Sequence, residues 1–474
     1  MRNIYIALLS ILTFGCSEDF LDKSPSVSNS VEITSVDDID KLFNGINIPF
    51  TDDQVNIWCT DNAYVPQAVL DESFTITDEQ LAHYTFETDV DRTRDGQWSG
   101  YYRYLLLPNL ALDQIAGGEL ISEDPVLLAE TIAEAHFRRA FHLFQAAVVY
   151  SLYPNDSNLN EMGVVLKQTS SITESLARAT VKETFDFIKA DIEEALKHPI
   201  ALKQSPFRTD KPSVHALAAR VYLYLGEYEK AKTHADAALN GYNAMVDYAT
   251  SIYELPYSLW YGPFTYPNSV ELRTWDISIP ELYTDEYFYV ESSNGNWNTS
   301  PSQELLDLYD PNDIRNMFFI DGWFSRSGVT TNTWTSYMDL GPGTSLAGPG
   351  VAEMYLTRAE CKARDNDITG AMADVEMVRV NRFKPADYVA LPIPSTVKET
   401  VEEIIDERRR EDPFEYRFMD IKRLNNDDLT DSIILTRVVN GETVTIQPDD
   451  RRYARPIGNE IILLSKGETV QNKY

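Results

Sequence analysis

From Glu130 to Tyr153 apolar side chains recur at helical spacing, with Ile132, Ala135, Phe137, Ala140, Phe141, Phe144 and Val148 along the stripe. The pattern predicts a long amphipathic helix stopped at Pro154, which has no amide to carry it on. A second helix is predicted over Thr180–Lys197, where Phe185, Ile188, Ile192 and Leu196 form the inner stripe. Two further stretches, Ser213–Leu239 and Val351–Arg379, each read as helix, tight turn and helix. Gly226, Tyr228 and Ala231 stand at offsets 0, +2 and +5 in the first, and Asn366, Ile368 and Ala371 at the same offsets in the second.

A small Ala at the last offset lets two helices pack closely, and the shared spacing is that of a tetratricopeptide-type hairpin without its full consensus. Between the hairpins, from about Tyr242 to Gly350, helical periodicity fades. Gly, Pro, Asn, Ser and Thr become dense there, and Trp and Tyr are frequent. A similar stretch runs from about Ile46 to Gly100. Both predict loops with short strands, and loops held by a rigid frame are where binding sites usually sit. After Leu424 a strand pair is expected, Ile433–Val439 with Thr443–Gln447, followed by turns. The expected fold class is mainly α: a TPR-like hairpin scaffold over about 101–241 and 351–424, a loop-rich lobe with short strands over about 46–100 and 242–350, and a strand-and-turn region at 425–474.

The chain opens Met1-Arg2-Asn3 and runs apolar from Ile4 to Phe14, ending at Gly15-Cys16. One positive charge, a short apolar run and a small residue are expected of a secretory signal over residues 1–15, too short for the ~20 apolar residues that span a bilayer. Cys16 then reads as a lipid-attachment site, although Leu12 stands one position off the usual lipobox pattern and Phe14 is bulky. Of 474 residues, 41 are Lys or Arg and 74 are Asp or Glu, a formal charge of -33. Such a polyanion is repelled by phosphate backbones, which argues against nucleic-acid binding. Three Cys and six His, with no Cys-x-x-Cys pair, give neither a disulfide framework nor a zinc motif. Cys59 and Cys361 are expected to be free and buried.

Five ordered segments resemble the SusD/RagB family of Bacteroidetes outer-membrane lipoproteins. They are Cys16-Ser17-Glu18-Asp19-Phe20-Leu21-Asp22 with Pro25, the Glu134–Tyr153 helix, the Val214–Leu225 helix with its hairpin, Ala352–Arg364, and Ile404–Leu424. The ending Arg455-Pro456-Ile457-Gly458-Asn459-Glu460, with Gln471-Asn472, fits too. The resemblance implies one domain from residue 16 to 474 with about four TPR-like units. It also implies a non-catalytic nutrient-binding lipoprotein on the outer face of the outer membrane, delivering an oligosaccharide to a SusC-type TonB-dependent transporter barrel. Some relatives handle peptides or other nutrients instead, and a surface glycosidase is a more distant alternative.

Sugar capture needs flat ring faces for pyranose CH groups, and carboxamides, carboxylates or Arg for hydroxyls. The loop-rich text supplies Tyr64, Asp71, Tyr84 and Phe86 in its first segment, then Tyr283, Tyr287, Asn296 and Trp297, then Trp323, Arg326 and Trp334. Trp297 is surrounded by Asn, Ser, Gly and Thr, so it has no apolar neighbours to join. Trp58, Trp98 and Trp275 are expected in the core. No nucleophile elbow, P-loop or zincin motif occurs, so no catalytic residue, cofactor or metal ligand is assigned. Asp365, Asp367, Thr369, Gly370 and Glu376 match calcium-loop positions, but the same residues form the turn of the second hairpin, and a helix beginning there leaves no room for that loop. The run Glu407–Asp412 alternates in sign and reads as a solvated or cross-bridged helix face.

Overall fold

The computed structural model describes residues 33–45, 50–51, 54–71, 76–89, 95–198, 200–201, 206–251, 286, 288, 291–294, 299–321, 335–337 and 344–474. Eight helices make the scaffold: α1 Pro125–Tyr150, α2 Val181–Lys197, α3 Lys211–Tyr224, α4 Tyr228–Gly241, α5 Val351–Arg364, α6 Ile368–Arg379, α7 Val397–Glu411 and α8 Arg417–Leu424. The first of these begins before Glu130 because Asp124 caps it, accepting from the amides of Val126 and Leu127, with Pro125 preset in the first turn. Thr180 and Thr396 cap α2 and α7 through reciprocal bonds with Glu183 and Glu399.

The two predicted hairpins are present, and their turns use the same device. Gly226 has φ 71° and Asn366 φ 64°, the left-handed conformation that ends one helix and turns the chain into the next. Ala231 and Ala371 are fully buried where the partner helices cross. Asp367 accepts from the Gly370 amide as the cap of α6, so this stretch is the helical turn and not an ion-binding loop.

The scaffold is built around α3, which is buried on both faces and carries Arg220 paired with Glu353 of α5. Leu217 and Val221 join Phe137, Phe141 and Phe144 of α1 and Ile188 and Ile192 of α2 in one core cluster. Ala216 and Ala219 join Met354 and Ala359 of α5, Val375 of α6 and Ile404 of α7 in a second. A helix buried on both faces carries no amphipathic stripe, which is why α3 reads as an almost unbroken apolar run. The long helix ends on Lys422, whose Nζ donates to the carbonyls of Val148 and Ser151 at 2.5 and 2.6 Å, while burial pushes its pKa down to about 7.

The charge run on α7 is cross-bridged but not solvated. Glu407, Arg408 and Arg410 are buried. Glu407 meets Arg315 at 2.9 Å, Arg379 at 2.9 Å and Arg410 at 2.7 Å. Next to it, Arg423 bridges Glu360 and Asp420, both at 2.7 Å. The alternation of sign along α7 therefore serves partners on neighbouring elements. After α8, strands Leu435–Val439 and Glu442–Ile446 pair antiparallel about Asn440 and Gly441, with φ 52° and 84°, a turn whose twist suits a two-residue hairpin. Cys59 and Cys361 are buried thiols, and the Cys59 Sγ donates to the His83 carbonyl at 3.2 Å. No helix among the described residues is long and apolar enough to cross a membrane.

Candidate functional site

The two loop-rich segments come together as one lobe. Phe50–Thr51 runs parallel to Glu291–Asn294, which pairs antiparallel with Thr344–Ala347. Ala63–Tyr64 pairs antiparallel with Ser300–Pro301, and the Ser302 amide donates to the Asn62 carbonyl at 2.8 Å. Phe319–Asp321 pairs antiparallel with Thr335–Tyr337.

Polar bolts fasten this lobe to the scaffold. Arg417 donates to both oxygens of Asp61 at 2.7 and 2.6 Å, and Arg409 donates to the Asn62 side-chain oxygen at 2.9 and 2.7 Å. Burial raises the Asp61 pKa, but the Arg417 and Arg409 charges outweigh it and hold the carboxyl well below the usual carboxylate range. Asn62 also donates to the Pro413 carbonyl at 2.6 Å. On the other side, the Glu286 carbonyl receives the Val351 amide at the start of α5 at 2.8 Å. The Glu286 carboxylate pairs with Arg382, which also pairs with Glu411. Burial pushes the Glu286 carboxyl up to about 7 despite the Arg382 charge.

Of the sequence candidates, Cys16, Tyr283, Tyr287, Asn296, Trp297, Trp323, Arg326 and Trp334 lie outside the described residues. Their flanks do not. The connection 295–298, which contains Asn296 and Trp297, leaves Glu291–Asn294 and re-enters at Thr299, and both sides pair with the first loop-rich segment. The connection 322–334, with Trp323, Arg326 and Trp334, is closed by the Asp321 to Thr335 pairing.

Tyr84 is a correction. It is 2% exposed, packed edge-on to Trp58 at 6.4 Å and under the Arg437 guanidinium at 4.7 Å. Its hydroxyl accepts from the Val65 amide at 3.3 Å, so the ring belongs to the base of the lobe and has no face for a ligand. Phe86 is likewise buried, beneath Arg455. Trp58 and Trp98 are core, as expected. Tyr64, by contrast, is exposed, at 48%. Three residues on, Gln67 donates to Asp71 at 2.9 Å and to the Asn440 side-chain oxygen at 3.1 Å, all on the surface. Gln67, Asp71 and Asn440 gather two carboxamides and a carboxylate at the surface, groups suited to the hydroxyls of a polar ligand. Sequence reasoning passed over Gln67 and Asn440, and only the Asn440-Gly441 turn signal marked the latter's position.

His142, His215 and His234 lie on the scaffold helices. His142 is buried and its pKa falls to about 3, from burial and then the Arg138 charge. His215 and His234 meet nitrogen to nitrogen at 2.9 Å, and burial depresses both. Among the described residues no group of three or more His, Cys, Asp or Glu is placed to hold a metal ion.

Comparison with known proteins gives two family matches in order along the chain. Residues 19–223 match a SusD-like family described as starch-binding and associating with the outer membrane, and residues 351–461 match the SusD family. A SusD-like protein P38 from Formosa agariphila is 31% identical over 141 residues, 29% of this chain and 24% of that protein, so the match spans about a quarter of that relative. The solved SusD superfamily protein from Bacteroides thetaiotaomicron superposes with a TM-score of 0.69 at 19% identity, covering 93% of this chain and 100% of that one. A SusD-like carbohydrate binding protein from Bacteroides vulgatus gives 0.66 at 16% identity, covering 91% and 97%. At these identities the likeness to the solved structures is one of fold.

Proposed function

The chain belongs to the SusD/RagB family, and from that premise we propose that it is a non-catalytic, cell-surface nutrient-binding lipoprotein. Anchored through a lipid on Cys16, it binds an oligosaccharide and delivers it to a SusC-type TonB-dependent barrel in the outer membrane. The observation that carries the reading is the pairing of both loop-rich segments into one lobe. This pairing places the exposed Tyr64 on the strand beside the one that leads out of the Trp297 connection. A sugar site needs several rings on one surface, since each ring contact contributes only about 1 kcal/mol and affinity needs more than one. The carbohydrate binding relative from Bacteroides vulgatus supports the cargo class.

Affinity electrophoresis of the purified protein in gels containing a panel of glycans tests this. Retardation by at least one glycan is expected, weakened about fivefold or more by Trp297→Ala and by Tyr64→Ala. Retention by none of the panel, or release of shorter products from any of it, overturns the proposal.

A further inference from the structure

Away from the lobe, a groove of about 430 Å³ lies between the Leu106–Ala116 helix, the loop 165–176 and the Asn459–Leu464 helix. No residue of either loop-rich segment other than Trp98 and Ser99 lines it. Its floor is the buried Trp98 and Leu105. Its rim carries Leu106, Ile172 and Leu464, which are 60%, 97% and 69% exposed. Three large aliphatic side chains gathered on one groove and left open to water are the mark of a surface that something covers.

The chain itself supplies a fitting cover. Residues 1–32 lie outside the described residues, and the description begins at Ile33. Ile33 packs in a cluster with Leu107, Leu112 and Ile115, on the same helix whose first residue, Leu106, forms the groove rim. That helix has 11 residues and is about 16 Å long, which sets the distance to be crossed. From Ile33 back to Leu21 the chain reaches up to about 40 Å, more than enough. Between Ser17 and Glu32 the large apolar side chains are Phe20 and Leu21, adjacent and bracketed by Glu18, Asp19 and Asp22. Arg103 and Lys167 stand on the groove wall, Lys167 already paired with Glu174 at 2.8 Å. An apolar pair with acidic flanks complements an apolar groove with basic edges.

We propose that the segment Ser17–Asp22 docks in this groove, with Phe20 and Leu21 covering Leu106, Ile172 and Leu464. The docking is independent of what the lobe binds. If Cys16 carries a lipid, four residues before Phe20, it also fixes which face of the protein turns to the membrane, because about 14 Å of chain is all that then separates groove from anchor.

The test uses the whole chain with benzoylphenylalanine at position 20. Irradiation is expected to give adducts within one molecule, mapped by mass spectrometry to residues 98–109, 165–176 or 461–469. Adducts elsewhere, or adducts only between two copies, overturn the proposal, the latter in favour of a second molecule on this face. Hydrogen exchange gives a second reading. Amides of residues 19–22 are expected to exchange about tenfold faster in Leu464→Glu than in the unaltered protein. The same change at Val389, 75% exposed and outside the groove, is expected to leave them unchanged. Equal exchange rates in all three proteins would refute the docking.

Discussion

Glu407 is fully buried and meets Arg315, Arg379 and Arg410, each within 3 Å. Replacing it with Gln keeps the shape and removes the charge, leaving three guanidinium groups facing each other without their shared partner. Asp313, Glu411 and Glu403 still hold the outer edges of Arg315 and Arg410. Breaking a buried ion pair from one side costs about 3–5 kcal/mol, and the remaining acids place Glu407→Gln at the low end, near about 3 kcal/mol. Urea unfolding followed by tryptophan fluorescence measures it. Adding Arg315→Met to this variant removes one stranded charge and should cost less than the two single changes summed.

The same residue gives a pH test. Burial pushes its carboxyl up, but the Arg315, Arg410 and Arg379 charges outweigh that and hold it well below its ordinary value of 4.5. A depressed folded pKa contributes stability that is present above 4.5 and lost as pH falls through the folded value. The unaltered protein should therefore lose stability more steeply below about pH 4.5 than Glu407→Gln does. A cost under about 1 kcal/mol at neutral pH, or parallel acid profiles, would mean the network behaves as a surface one and would refute the reasoning.

Gly226→Ala should cost about 1–2 kcal/mol, because φ is left-handed while an added Cβ meets nothing closer than the Tyr153 hydroxyl at 3.8 Å. Asn366→Gly at the matching turn should be near neutral, both read by urea midpoints. Neither Cys59 nor Cys361 should react with a thiol reagent until the protein unfolds, since both are buried and burial pushes the Cys361 thiol up to about 12. Glu286, raised to about 7, holds its proton more tightly folded than unfolded, so its contribution grows as pH falls from about 7 to about 4.5 and is lost as pH rises. Glu286→Gln should make the stability profile less negative in slope across that window, measured by unfolding at a series of pH values.

Local rules carried far into this fold. The offsets shared by Gly226 and Asn366 located both hairpin turns, because a left-handed turn residue and a small crossing residue are set by neighbours a few positions away. The start of α1 was missed because the reading followed the apolar stripe, while Asp124 and Pro125 act ahead of it. Tyr84 and Phe86 were read as open for a different reason. Their burial comes from Arg437 and Arg455, which lie more than 350 residues downstream and leave no local trace. The sign alternation of α7 fitted a solvated or a cross-bridged face alike, because the partners that decide between them, Arg315 and Arg379, belong to other elements. Trp58 and Trp98 were legible as core from the helical text around them. The candidate binding lobe was legible only as composition, since its geometry depends on which loops pair across the chain.

The strand pairing of the lobe has one more consequence. The connections 295–298 and 322–334 are flanked by paired strands, and the Ala63–Tyr64 strand that pairs with Ser300–Pro301 is tied to the helical frame through the preceding Asn62 and Asp61. Sequence there can be exchanged wholesale while the stitching on either side keeps its register. If those connections carry the proposed contacts, selection can retune what the molecule prefers to hold without touching the residues that keep it folded, much as a tool is given a new tip and keeps its handle.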